Sequence, residues 1–236
     1  MAQPMKSSIC KLVCAAITLA GPLAHAAPFT LWNNGGPSIS TPGGSEMSSY
    51  LQAANFTTSF ATNLSSASFW SLEAGSSYDG SITYSILGNA IGSLGESPDE
   101  NLVFASGSVA PTRTDTLTTA LGLNVFQYDF ALAVTNLAAG TYWLALHNGA
   151  LSAGANVPDF YWAWSDANAT TGGAIFDQER SLFPPDPTWG TNQAEHAFLI
   201  AGERFVEQQI SEPGTPLLVT LAAGLGLILS RRRTTA

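Results

Sequence analysis

Cysteine is nearly missing from this chain. Only Cys10 and Cys14 occur in 236 residues, both close to the N-terminus. Everything after them must fold without a disulfide, a thiolate metal site or a cysteine nucleophile. Positive charge is almost as scarce. Between Ala27 and Ile210 only Arg113, Arg180 and Arg204 stand against sixteen acidic residues. A nucleic-acid backbone requires clustered Lys and Arg, so that class of partner is excluded, and an anionic membrane surface is excluded for the same reason. Histidine is limited to His25, His147 and His196. Two distant imidazoles do not make a hydrolytic zinc site, which usually takes three protein ligands. The pentapeptide Gly-x-Ser-x-Gly of many serine hydrolases is absent. The central region also lacks any long amphipathic helical pattern and any long apolar run.

What remains is rich in Ser, Thr, Gly, Ala and aromatic residues, a composition suited to half-buried strands. Ile82, Tyr84 and Ile86 alternate with Thr83 and Ser85. Phe126, Tyr128, Phe130, Leu132 and Val134 share one face of a longer run over 124–135, with Gln127 and Asp129 on the other. Ala139-Gly140 turns this run into Thr141–His147, which predicts a hairpin. Further strands are expected at 55–60, 64–72, 102–106, 159–165, 174–177 and 195–201. Residues 33–50 read as loop and edge structure dense in turn residues, and 88–100 as a loop. The three prolines of 183–189 bar that stretch from a sheet centre. Eight to ten short strands predict an all-β antiparallel β-sandwich, jelly-roll-like, as one domain over 27–210.

Candidate chemistry is sparse. Asp177 and Glu179, two apart on a strand, would project from one face, as a carboxylate pair for glycan hydrolysis must. Arg180 beside them would neutralise the pair, and a solvated acidic loop is the simpler expectation. No catalytic residue is therefore assigned, and His147 and His196 are read as hydrogen-bonded sheet residues. Asp166, Asn168 and Thr170 offer oxygens at alternate positions for calcium. Thr171 stands where the EF-hand turn needs glycine, so no metal ligand is assigned either. Among the aromatic residues, Trp162 and Trp164 alternate as core residues do. Trp189, in the Pro-rich stretch, is expected to be exposed and is the candidate carbohydrate contact.

The two ends are addresses. Lys6 and Lys11 precede an apolar stretch from Leu12 to Leu23, and Ala24-His25-Ala26 places small residues at −3 and −1. Residues 1–26 are read as a helical signal peptide cleaved after Ala26, too short to span a bilayer. Residues 211–236 hold Ser211-Glu212-Pro213, then an apolar segment from Leu217 to Leu229, then Arg231-Arg232-Arg233. As a helix the apolar segment is marginal for crossing a bilayer, and the arginines would stay cytoplasmic.

That tail resembles the PEP-CTERM sorting signal, with Glu212-Pro213 matching its motif and Ser211 standing in place of the first proline. The resemblance implies a Gram-negative bacterium and recognition by an exosortase. It further implies a transient inner-membrane anchor, followed by delivery to the cell surface or the exopolysaccharide matrix. The body resembles the β-sandwich ectodomains that accompany such tails, through Asn34-Gly35-Gly36, Ala53-Ala54-Asn55-Phe56, Phe69-Trp70, Gly140-Thr141-Tyr142-Trp143-Leu144, Trp162-Ala163-Trp164 and Ala197-Phe198. Asn55 stands where relatives often carry an acid, so no cation site is expected there. The resemblance implies architecture and location, not chemistry. The expected function is non-enzymatic, and a carbohydrate-binding module or, failing that, a glycan hydrolase stands as the alternative.

Overall fold

The computed structural model describes residues 27–75, 77–92, 95–151, 159–166, 177–182, 188–191 and 194–205. They form β1 (Phe29–Asn33), β2 (Gly44–Glu46), β3 (Tyr50–Thr58), β4 (Thr62–Glu73), β5 (Ile82–Gly92), β6 (Gly95–Val109), β7 (Thr112–Ala120), β8 (Leu123–Leu137), β9 (Gly140–Asn148), β10 (Phe160–Ala163), β11 (Gln178–Ser181), β12 (Trp189–Thr191) and β13 (Phe198–Arg204). The described residues contain no helix. Both terminal segments, with their predicted helices, and the expected strand at 174–176 lie outside them.

Two antiparallel sheets face each other across one core, as in a β-sandwich. In the first, β7 pairs with β8 and β8 with β4. The other edge of β4 is shared end to end: β13 takes residues 62–69 and β10 takes 71–73. Outside β13 lies β1, and outside β10 lies β2. The second sheet runs β12-β11-β3-β9-β5-β6. The chain crosses between sheets at most connections, from β2 to β3, β4 and β5, then back with β7 and again with β9 and β10.

Period-two alternation produces this layering. In β8, Phe126, Tyr128, Phe130, Leu132 and Val134 are buried, and Ala131 and Ala133 are exposed. Phe56, Phe69, Tyr128, Phe160, Trp162 and Phe198 are fully buried in the shared core. Phe69 stacks on Tyr128 at 5.0 Å and meets Trp162 edge-on at 6.0 Å. Each such ring removes about 150–250 Å² from water, an upper bound of ~4–6 kcal/mol per residue before entropy. Burial on this scale substitutes for the missing disulfides.

Two departures from the sequence reading have physical causes. Residues 88–100 are not a loop: β5 and β6 continue as a hairpin arm. Leu87 pairs with Val103 but Gly88 with Asp99, so three residues bulge out of β6. Such a bulge bends its strand. A Cβ on Gly88 would fall on the Leu102 side chain, so only glycine admits this bend. The arm reaches the outer face of the second sheet, where Asn89 Oδ1 accepts a bond from Trp143 Nε1 at 2.9 Å. Trp143 and Ala145, which alternation would expose, are therefore buried as well.

The second departure is β7, whose Thr-rich sequence is exposed on both faces and leaves no alternation to detect. Its hairpin to β8 turns on Leu121 and Gly122, both at positive φ, 55° and 79°. A two-residue turn with both φ positive normally takes Asn-Gly. Leucine there, like Leu117 at φ 58°, costs roughly 1–2 kcal/mol. The 33–50 stretch, read as loop and edge structure, contributes the end of β1 and all of β2 at the sheet margin.

Candidate functional site

Polar groups gather at three places. The first lies between the sheets where β10 and β13 meet. His196 bridges to Trp164 just before β13, and its ring stacks on Trp162 at 4.5 Å. Asp177, just before β11, makes three polar contacts. The His196 backbone N–H donates to Oδ2 at 2.6 Å, His196 Nδ1 lies 2.7 Å from the same oxygen, and the Asn55 backbone N–H donates to Oδ1 at 3.3 Å. One carboxylate thus ties the first sheet to the second. Asn34 completes the group by donating to the His196 carbonyl at 2.7 Å and to Glu195 Oε2 at 3.3 Å.

All four side chains are at most 6 % exposed. Burial pushes the Asp177 carboxyl well above its ordinary value and the His196 imidazole down to about 3. Burial, then the nearby Asp177 charge, raises Glu195 to about 7. Perturbed carboxyls and a histidine at one spot are what acid–base chemistry uses. Here the donors and acceptors are turned onto one another, and the described geometry is that of a buried brace between sheets.

The second group surrounds Glu73, fully buried at the end of β4. Tyr128 Oη donates to Oε1 at 2.7 Å, and the Ser71 hydroxyl donates to the same oxygen. Arg113 Nη2 reaches Oε2 at 2.7 Å, and its guanidinium lies 3.4 Å over the Phe126 ring centroid. Burial and the Glu73 bond raise the Tyr128 phenol far above its ordinary value, so it stays a donor. The carboxylate is paired and multiply hydrogen-bonded, as a buried charge must be.

The third feature is a cleft of about 590 Å³ on the outer face of the first sheet. Trp70 and Val125 form its floor. Pro37, Ile39 and Pro42 make one wall, and Thr116, Thr118, Thr119 and Leu121 the other. Trp70 is half-buried, whereas Ile39, Leu117 and Leu121 are 95 %, 89 % and 67 % exposed. Pairing sets the rest of this face. Gln127 lies beside Trp70 and opposite Thr114, and Asp129 lies beside Ser68 and opposite Thr112. Ser68 Oγ donates to Asp129 Oδ1 at 2.5 Å, and Gln127 Nε2 donates to the same carboxylate at 2.9 Å.

The residues singled out by sequence scatter. Asp177 turns into the brace, while Glu179 is half-buried and accepts from Gln52 Nε2 at 3.3 Å. Arg180 does not neutralise that pair; it reaches Glu100 of the hairpin arm at 2.9 Å. His147 is fully buried, with Nε2 3.1 Å from the Ser48 carbonyl oxygen and Nδ1 3.3 Å from that of Gly149; burial lowers its pKa. Trp189 is not freely exposed. It packs half-buried against Leu51, Ala53 and Trp143, with the Arg180 guanidinium 6.0 Å from its ring centroid. Asp166 receives the Ser38, Ser40 and Thr41 hydroxyls at 2.6, 3.0 and 3.2 Å; residues 167–176 of the calcium reading lie outside the described residues.

Also outside them lie the signal residues Ala24 and Ala26, the tail motif at Glu212, and the Leu217–Leu229 and Arg231–Arg233 segments. Sequence reasoning missed Asn34, Glu73 and Glu195 as polar anchors. Only the Asn-Gly-Gly turn at 34–36 drew notice, as a motif without a role. Comparison with known proteins adds no relative: no protein-family model matches the chain, and neither a curated protein nor a solved structure is significantly similar to it.

Proposed function

We propose that this chain is an exported, non-enzymatic surface or matrix protein whose β-sandwich body is cargo for its own C-terminal address. The observation that carries the reading is the tail, in which Ser211-Glu212-Pro213 precedes Leu217–Leu229 and Arg231–Arg233. An exosortase would recognise Glu212-Pro213, and the apolar helix would be released once the body is outside the inner membrane. A body that owes its stability to burial, with no cysteine after Cys14, suits such a route because it needs no oxidative folding. Its buried Asp177 and Glu73 are committed to structural hydrogen bonds, which favours a cargo role over hydrolysis.

We read the sandwich as a jelly roll. The orders β2-β10-β4-β8 in one sheet and β3-β9-β5-β6 in the other support this, since four strands of each follow the double Greek-key path. Then β1, β7, β11, β12 and β13 are additions at the margins.

The test is fractionation in a Gram-negative host that has an exosortase. The parent chain should lose the mass of its tail and leave the inner membrane. Glu212→Ala should keep the tail and stay in the inner-membrane fraction, and a chain lacking 211–236 should be released without any membrane stage. If both variants fractionate like the parent, the sorting role is wrong.

A further inference from the structure

The geometry points to the Trp70 cleft as a binding site for a neutral polysaccharide. This assigns the body a ligand, and it places the contact on the opposite sheet from Trp189.

The chemistry of the lining selects the ligand. Among the described residues that line the cleft none is charged, and the side chains bordering it, Asp166 on Ser38 and Asp129 beside Ser68, are acidic, so it has no group to pair with a phosphate or a uronate. An indole face and two prolines supply flat apolar surface. Thr116, Thr118, Thr119 and Ser38 supply hydroxyls. Thr116 Oγ1 already meets Thr118 Oγ1 and the Val125 carbonyl, both at 2.7 Å, which fixes the rim. A pyranose matches that mixture: its C–H face stacks on an aromatic ring while its edge hydroxyls meet other hydroxyls and amides. A lipid would leave the threonines unmatched.

The floor continues beyond the cleft. Ser68 lies two residues from Trp70 on the same face of β4, a rise of about 7 Å. Gln127 and Asp129 lie beside them, with Thr112 and Thr114 exposed at the edge strand. A polymer lying along β4 would pass from the ring to this row of hydroxyls, the Gln127 amide and the Asp129 carboxylate, which accepts from Ser68 and Gln127.

The walls fit a binding role too. Leu121 occupies a turn position that asparagine would fill without strain, and its side chain lines the cleft instead of the core. Such an outlier points toward function. Ile39 stands on the opposite wall, almost fully exposed.

The test uses the full chain purified in a detergent without a sugar headgroup, run through native gels containing dextran, a neutral galactomannan or the polyuronate alginate. At least one neutral polymer should retard the parent, and alginate should not. Trp70→Ala should weaken the retardation about tenfold, as loss of a central aromatic anchor does, while Trp70→Phe should keep part of it. Ile39→Asp, at a site too exposed to affect folding, should also weaken it by placing a charge on the wall. Trp189→Ala should leave it unchanged. No retardation by either neutral polymer, equal retardation by alginate, or full retardation of Ile39→Asp and Trp70→Ala would overturn the assignment. So would a Trp70-dependent dimer seen by sedimentation that sugar does not disturb, since a second copy would then be the occupant. The gels report on the body and the fractionation on the tail, so either reading can fail alone.

Discussion

Glu195→Gln should stabilise the protein in alkali and leave it unchanged in acid. Burial first, and the adjacent Asp177 second, hold the Glu195 carboxyl at about 7 against an ordinary 4.5. In the folded chain it therefore keeps a proton that the unfolded chain has already lost over that interval. Stability from Glu195 is complete below about pH 4.5, declines as pH rises toward 7, and is flat above. The gap corresponds to ~3 kcal/mol. Glutamine removes the ionisation but keeps an oxygen for the Asn34 Nδ2 bond. Asp177 and His196 respond to pH as well, in opposite senses. The imidazole stays neutral down to about 3, so its contribution is lost as pH falls below 6.5. Because both remain in the variant, the difference between parent and variant reports Glu195 together with its coupling to these two neighbours. Urea unfolding followed by tryptophan fluorescence should show coincident midpoints near pH 4.5 and a higher midpoint for the variant at pH 8.5, by roughly 1 M or more. An equal difference at both pH values would refute the account, because it would reflect packing and not charge.

Other variants test other parts of the frame. Arg113→Ala should cost about 2 kcal/mol in urea unfolding, less than the 3–5 of a fully enclosed pair because the arginine is 32 % exposed. Adding Glu73→Gln should recover much of that loss, and a double variant weaker than the single would count against charge burial as the cause. Leu121→Asn should gain about 1 kcal/mol and raise the melting temperature, by restoring the Asn-Gly turn that two positive φ angles favour. Gly202→Ala should cost at least ~2 kcal/mol, because the new Cβ would run into the Asn63 carbonyl oxygen at the β4–β13 register shift; an unchanged unfolding midpoint would sink that reading.

The strands that were legible in the sequence share one property: one wet face and one dry. β8 shows five apolar residues at every second position, and 82–86 alternates as cleanly. Where that condition fails, the pattern disappears. Trp143 lies on an outer face that the hairpin arm covers, and β7 is wet on both sides. The arm itself was hidden because Gly88 and Pro98 read as loop formers, whereas in the structure one permits the bulge and the other lies within the edge strand β6. The buried polar anchors were hidden for a further reason. Asp177 and His196 are nineteen residues apart, and Glu73 meets Arg113 across forty. Neither spacing belongs to a local period, so only the pairing of distant strands brings them together. Trp189 shows the limit of neighbourhood arguments: flanking prolines suggested exposure, but the three-residue β12 lays its ring on the second sheet.

The place of β13 bears on any event at the tail. It is the last described strand, and it holds one half of a β4 edge whose other half belongs to β10. Arg204 ends it, seven residues before Ser211, a tether that can extend no more than about 25 Å. A membrane enzyme working at Glu212-Pro213 would therefore operate almost against the folded body. On the proposed route, the end of the body around Arg204 would have to leave room for the enzyme acting at Glu212-Pro213.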